Sequence, residues 1–444
     1  MQTLTAPIHR TIGRARHIAD QTPATRNRYV DFLRALSIIA VVVGHWLIAA
    51  PFAAGGELRG VNMLAHTPST QWLTWVFQVM PVFFAVGGYS NTASWTAAKR
   101  GGQSYANWLT ARLRRLTVPL IPLLTFWAVL GAVTVALGVD HDLIRLGSQS
   151  ALVPVWFLSV YVVITAVSPA LVELWNRHGW RSYVALVGAA LLVDLAVASG
   201  TGVIGWVNYL FVWSAMHQLG VAWRSGALSS WRAGTMSVFA AAAVIALVTV
   251  GPYPIAMVGV PGAAASNNSP PTFAMVAFGT MQITALLAVE ARARRVLERR
   301  SAWTATVLVN GSIMTLYLWH MTAMILAVGA MLMAGGVGLG IEPSTAGWWL
   351  SRPLWILGLL AVTVPFLVVF GRREQVRPMS EDARPNAVAA WVAVVATCTG
   401  LGLLAGHGVL GGFLGIRIEA LALPVAAALT ALWMGRAVPE RLRH

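Results

Sequence analysis

The chain has 444 residues, of which 57% are hydrophobic and only 10% charged, with a mean hydropathy of +0.69. An ordinary globular protein is about one-quarter charged, so these residues cannot cover a water-facing surface, and a soluble domain is excluded in favour of the bilayer. Lys and Arg outnumber Asp and Glu by 31 to 15, a formal net charge of +16; in a soluble chain that excess would point to nucleic acid, but in a membrane chain it marks cytoplasmic loops, and no nucleic-acid partner is expected.

The first 28 residues are polar and carry Arg10, Arg14, Arg16, Arg26 and Arg28 with no apolar core before them, which reads as a cytoplasmic basic tail and not as a cleavable signal peptide. Apolar runs of about 18 to 25 residues then recur, each long enough to cross the hydrocarbon core. They predict an all-α, polytopic integral membrane helical bundle of about twelve spans, starting near Val30, Trp72, Thr117, Leu152, Ser182, Val203, Thr235, Thr272, Thr304, Ala346, Val388 and Gly415. We read 29–384 as a ten-helix core and 385–444 as two additional C-terminal transmembrane helices, whose runs hold few polar residues. The single Cys398 lies in one of them, as a packed thiol does, and excludes an intrachain disulfide.

The distribution of charge fits this count. With the N-terminus inside, the outer connections hold only Arg59, Arg145, Arg352 and Arg417; apart from Arg34, which lies within a span, the other basic residues fall on the tail, the inner connections or the C-terminal end. Both termini are therefore expected in the cytoplasm and the chain in the cell membrane. The outer connection GPYPIAMVGVPGAAASNNSPP (251–271) has no charge and either folds over an external opening or is a flexible link.

The first span, RNRYVDFLRALSIIAVVVGHWLIAA, sets Asp31, Arg34 and His45 in an otherwise apolar run. Ionisable groups in a span are costly and mark function by default. Arg34 and His45 are eleven residues apart, within about 20° of three full turns and roughly 16 Å along the axis, so they share one face at different depths. Arg34 taken alone is also what a snorkelling or Asp31-paired arginine looks like, and His45 what an interhelical hydrogen bond requires.

With this pair the sequence resembles the membrane-bound acyltransferase family 3, whose members place an Arg and a His at that spacing in their first helix. PVFFAVGGY (81–89), ARLRR (111–115), VWFLSVYVV (155–163), MHQLGVAW (216–223) and TLYLWHM (315–321) fit in the same order, and the resemblance covers roughly 28–370. It implies acyl transfer from a cytoplasmic acyl-CoA, acetyl-CoA above all, to a hydroxyl of an extracytoplasmic or lipid-linked glycan or glycolipid, with no metal. It assigns Arg112 and Arg115, its Arg-x-x-Arg pattern, to the donor's phosphates together with Arg34; a planar guanidinium donates two hydrogen bonds at once to such a group. His45 would be a general base toward the acceptor, or a transient acyl carrier. Where many members have Phe-Phe-x-x-Ser-Gly this chain has Gly87 in place of the serine, and no attached extracytoplasmic hydrolase-like domain is evident, so any later transfer of the acyl group would need a separate protein.

A general base needs an orienting partner. Asp194 and His320, counted about 18 Å and 24 Å into their expected spans, are the candidates, with Tyr317 one turn below His320. His217 and Gln218 fall nearer the inner side, along the donor path or in interhelical hydrogen bonds. Trp156, Tyr161, Trp206 and Asn208 either rim an acceptor cavity or form the interfacial aromatic belt. The competing class is a twelve-helix secondary transporter or lipid-linked sugar flippase. Such folds usually show two similar halves, and His45, Asp194 and His320 are not repeated between the halves here.

Overall fold

The computed structural model describes residues 13–23, 25–54, 57–138, 141–374, 376–411 and 415–436; Arg10, Arg441 and Arg443 of the basic tail and C-terminal end lie outside them. Residues 13–20 are helical. The helices of eight or more residues that follow are α1 (Arg28–Ile48), α2 (Met80–Arg100), α3 (Tyr105–Thr117), α4 (Leu120–Ala136), α5 (His141–Leu152) and α6 (Val155–His178), then α7 (Trp180–Ala198), α8 (Asn208–Arg224), α9 (Ser230–Thr249), α10 (Phe273–Ala288), α11 (Glu290–Leu297) and α12 (Arg300–Asn310), and finally α13 (Ile313–Met333), α14 (Ala346–Phe370), α15 (Ala387–His407) and α16 (Ile418–Met434). The strands β1 (Ala49–Ala54) and β2 (Glu57–Asn62) form an antiparallel hairpin directly after α1.

Among the described residues eight helical spans are long and apolar enough to cross a membrane, and ten if the bent pairs α3–α4 (41°) and α10–α11 (54°) each count as one. The remaining two of the twelve expected spans are α8 and α16, both 17 residues, about 26 Å of helix against a hydrocarbon core of ~30 Å. The ninth expected span also starts later than expected: residues 300–310 form the separate helix α12, and α13 begins only at Ile313.

The chain divides into two compact units. The first comprises Met1–Thr92, Pro169–Ile313 and Val328–Gly358. Its α2 and α8 cross backbone to backbone at Gly88 and Gly220: a Cβ on Gly88 would run into the carbonyl oxygen of His217, and one on Gly220 into that of Ala85. The motif segments FFAVGGY and MHQLGVAW therefore meet at their glycines, with Phe84 stacked on Trp213 at 4.7 Å. Helices α7, α8 and α9 pack on α10, and α12 packs on α1.

The long connection 251–271 belongs to this unit and is folded down, not loose. Trp75 Nε1 donates to the Ile255 carbonyl (2.9 Å), Gln78 Nε2 to the Met257 carbonyl (2.8 Å), and Asn267 Nδ2 to the Pro254 and Ala256 carbonyls. Met257 and Asn267 are fully buried.

The second unit comprises Ala93–Ser168, Met314–Ala327 and Leu359–His444. Here α15 and α16 pair with each other and pack on α3, so the two C-terminal helices are built into the unit that carries ARLRR. Trp319 of α13 is stacked on Phe366 and Phe370 of α14 (4.8 and 4.5 Å), and Trp127 Nε1 donates to Thr322 Oγ1 at 3.1 Å.

Candidate functional site

Arg34 and His45 lie on one uninterrupted helix, which starts with the Asn27 side chain accepting the Tyr29 N–H. The eleven-residue spacing therefore holds in the fold as about 16 Å of rise on one face. His45 is half-buried in the last turn of α1, and its neighbours fix that turn. A Cβ on Gly44 would come to 3.1 Å from Phe77 Cβ, so the helix runs close against that ring. Trp46 is fully buried, and its carbonyl accepts from Trp355 Nε1 at 3.1 Å.

At the other end of α1, Arg34 Nη1 pairs with Asp31 Oδ1 (3.3 Å) and Nη2 donates to Ser90 Oγ on α2 (3.1 Å). The same buried carboxylate takes Arg26 Nε at 2.6 Å, and the Asp31 carbonyl accepts from Asn310 Nδ2. Arg28 lies over the Trp303 ring and donates to the Leu297 carbonyl. Two guanidinium groups, those of Arg26 and Arg34, thus share the one Asp31 carboxylate, which neutralises only one of their two positive charges.

Asp194 has three donors: Asn208 Nδ2 (2.8 Å), Tyr253 O–H (2.8 Å) and the backbone N–H of Phe273 (2.7 Å). Phe273 is the first residue of α10, so the carboxylate sits at that helix's N-terminus, where an unsatisfied amide and the helix dipole both favour negative charge. Asn208, expected at a cavity rim or in the interfacial belt, is completely buried and donates also to the Ala190 carbonyl. His217 is buried on α8, and neither of its ring nitrogens nor the hydroxyl of Ser214, three residues earlier, has a hydrogen-bond partner among the described residues. Gln218 donates to the Leu171 carbonyl and to Ser182 Oγ.

Trp206 is exposed and stacked on Tyr209 at 5.7 Å; the remaining expected residues belong to the second unit. His320 is fully buried, with Nδ1 2.7 Å from the Tyr317 carbonyl; a carbonyl only accepts, so Nδ1 carries the proton. Because α13 starts at Ile313, His320 lies only seven residues into its helix, about 10 Å, and not the 24 Å counted from Thr304. The Tyr317 hydroxyl donates to the Pro154 carbonyl, and its ring meets Phe157 edge-on at 6.1 Å. Phe157 in turn touches Trp156 and Tyr161 of the same helix.

The three arginines of ARLRR point to three environments. Arg112 lies over the Trp108 ring at 5.7 Å. Arg114 is only 7% exposed, and a Cβ on Gly435 would reach 2.7 Å from its Nη1; the guanidinium lies at the C-terminal end of α16, where the helix dipole favours a cation. Arg115 is exposed and acts electrostatically on Glu374. Burial pushes the Glu374 carboxyl above its ordinary range, while hydrogen bonds from Thr315 and Met314 at the start of α13, and the charge of Arg115, oppose the shift.

Ser90 and Glu374 were not singled out in the sequence. Ser90 follows Gly87 by three positions and so lies on the same helix face one turn on, and Glu374 is an acid inside the basic run GRREQVR; these were the available signals. Among the described residues no group of three or more His, Cys, Asp or Glu side chains is placed to hold a metal.

No curated protein and no solved structure matches the chain. A family model described as an acyltransferase domain, that of acyltransferase family 3, matches residues 27–372. That range takes in α1 with Arg34 and His45, the α2–α8 crossing, the ARLRR helix and α13, and leaves out α15 and α16. A helical chain with eight to ten apolar spans that matches this model over most of its length is a multi-pass membrane acyltransferase and belongs to acyltransferase family 3.

Proposed function

We propose that the enzyme moves an acetyl or other short acyl group from cytoplasmic acyl-CoA to a hydroxyl of an extracytoplasmic or lipid-linked glycan, with both termini in the cytoplasm of a cell-membrane protein. The observation that carries this reading is the placement of Arg34 and His45 on one face of the unbroken α1. A polyanionic donor with its thioester on a long, thin arm needs positive charge at the mouth and a proton acceptor deeper in. Arg34, relieved of only part of its charge by an Asp31 shared with Arg26, supplies the first. His45 supplies the second: it takes the acceptor's O–H proton as the oxygen attacks the thioester carbonyl, the C–S bond breaks, and the thiolate leaving group recovers the proton. In the alternative form of this step the acyl group rests on the imidazole before the acceptor takes it.

Arg112 and Arg115 are assigned to the donor's phosphates, and Trp156 and Tyr161 to the acceptor. Tyr317, whose hydroxyl is bonded to the Pro154 carbonyl, acts by holding its own turn and that of His320. His320, with its proton held on Nδ1, is a second candidate proton acceptor. For Asp194 the three donors favour an anchoring role over one as partner of His45.

The test is purified protein in vesicles given acetyl-CoA and membrane glycolipids, with the ester product detected by mass spectrometry. His45→Ala is expected to abolish the ester; full transfer by that variant would sink the mechanism. Comparing glycolipids and cell-wall sugars from a deletion strain would identify the acceptor through the ester that disappears.

A further inference from the structure

Helices α7 and α9 both pack on α10, and a groove of about 770 Å³ opens between them in the first unit. Val187 forms part of one wall, Phe239 and Ala243 part of the other, and Val276 and Ala277 the floor. Between the walls the Tyr183 hydroxyl and Thr280 Oγ1 bond to each other at 2.7 Å, and Thr235 Oγ1 donates to the Trp231 carbonyl. A groove of this kind suits methylene groups and offers nothing to a sugar.

Its two ends differ. One carries Trp180, Trp231 and the exposed guanidinium of Arg232, with exposed Arg181 next to Trp180 in the chain. Among the described residues the Arg232 guanidinium makes a single, long hydrogen bond, 3.5 Å, to the Ala227 carbonyl. Indoles beside a cation are the pattern of a membrane–water interface. The lining at the other end is apolar, ending at Ala243 and Phe273. From Arg232 to Ala243 is eleven residues of helix, about 16 Å, which is half of a ~30 Å hydrocarbon core. The groove is thus one leaflet deep, with positive charge at its headgroup end.

We infer that this groove binds an acyl chain of an anionic glycerophospholipid, with the lipid phosphate at Arg232; that the leaflet is the cytoplasmic one rests on the orientation proposed above. The charge decides the headgroup. Arg232 and Arg181 attract a phosphate, and they repel the amine of a zwitterionic lipid, so a headgroup with net negative charge is preferred. The bound chain fills the space between α7 and α9 over the α10 floor.

The experiment uses the full chain, delipidated in detergent and offered phosphatidylglycerol or phosphatidylcholine of identical acyl chains, with retained lipid counted by native mass spectrometry. The wild type is expected to hold phosphatidylglycerol about fivefold better, the effect of one basic residue at a membrane surface. Arg232→Ala should shrink the preference, leaving at most what Arg181 supplies, and Ala240→Trp, which fills the groove, should reduce retention of both; where that variant does not accumulate, Ala240→Leu is the milder filling. Leu192→Trp, on a lipid-facing part of α7 outside the groove, should leave the preference intact. Equal retention of both lipids by the wild type, or an undiminished preference in Arg232→Ala, overturns the inference.

The lipid counts in detergent do not depend on orientation, which is read separately. Ser229→Cys, in a Cys398→Ala background, should react with a membrane-impermeant thiol reagent only from the cytoplasmic side. Reaction from outside would overturn the assignment to the cytoplasmic leaflet while leaving the lipid preference measurable.

Discussion

Arg34 of α1 and Ser90 of α2 are joined by a 3.1 Å hydrogen bond from Nη2 to Oγ, while Nη1 of the same guanidinium faces Asp31. The arginine is thereby held from two helices at once, and its fork is fixed rather than left to snorkel. Gly87 stands one turn earlier on the same face of α2, and Ser90 is the hydroxyl of this helix that meets Arg34.

Ser90→Ala removes that support without touching the charge. The expected result is a rise of roughly two- to tenfold in KM for the acyl donor, the range of a single hydrogen bond, with kcat and thermal stability close to wild type. An unchanged donor KM would show that the Ser90 hydroxyl does not orient Arg34 for the donor.

Arg114 and Arg115 should separate cleanly although they are adjacent. Arg114→Ala removes a buried guanidinium from the C-terminal end of α16 and is expected to lower stability by about 1–3 kcal/mol, seen as a drop in Tm. Arg115 is exposed, so Arg115→Ala should leave Tm unchanged and weaken donor binding. The reverse pattern would remove Arg115 from the phosphate site.

Asp194→Ala leaves the Asn208 amide, the Tyr253 hydroxyl and the Phe273 N–H without their shared acceptor. We expect a loss of about 2–4 kcal/mol from unsatisfied donors and the lost charge at the α10 N-terminus, with Asp194→Asn closer to wild type in both stability and activity. If Asp194→Asn were fully stable yet inactive, the carboxylate would belong to the chemistry and not to the fold.

Gly88→Ala and Gly220→Ala each place a methyl group against a backbone carbonyl at the α2–α8 crossing. Backbone cannot give way as a flexible side chain does, so both variants are expected to accumulate poorly or to lose more than ~3 kcal/mol. Gly188→Ala and Gly358→Ala, which meet open space, serve as controls and should behave like wild type in thermal melts.

Glu374 gives a pH signature. Burial raises its folded pKa above the ordinary 4.5, so the folded chain holds this proton more tightly than the unfolded one. The contribution is fully present below the unfolded value and is lost as pH rises through the folded one. Thermal melts of the wild type across that window should therefore decline relative to Glu374→Gln, which does not titrate. Parallel pH profiles for the two would show that folding leaves the Glu374 carboxyl unshifted.

The sequence by itself determined the medium, the helical class and the first-helix pair. Scarce charge, apolar runs and the sorting of arginines are properties of local composition, and the eleven-residue spacing of Arg34 and His45 has one meaning on any straight helix. Depth along a later helix was not legible in the same way, because it depends on where that helix begins. The apolar pattern runs on from Thr304, yet α12 ends at Asn310 and α13 begins at Ile313, so His320 lies about 10 Å into its helix rather than 24 Å.

What only the tertiary structure decided is which polar group meets which. The position of Asp194 in an apolar run shows that it needs donors but not which ones, and packing brings it those of Asn208, Tyr253 and the first amide of α10. In ARLRR the Arg-x-x-Arg pattern names Arg112 and Arg115, and nothing local shows that Arg114 between them is buried against Gly435, more than three hundred residues away. Periodicity assigns a residue to a face of its own helix; the neighbour that satisfies its charge or hydrogen bond is brought there by packing between helices distant in the chain, and no local pattern encodes that.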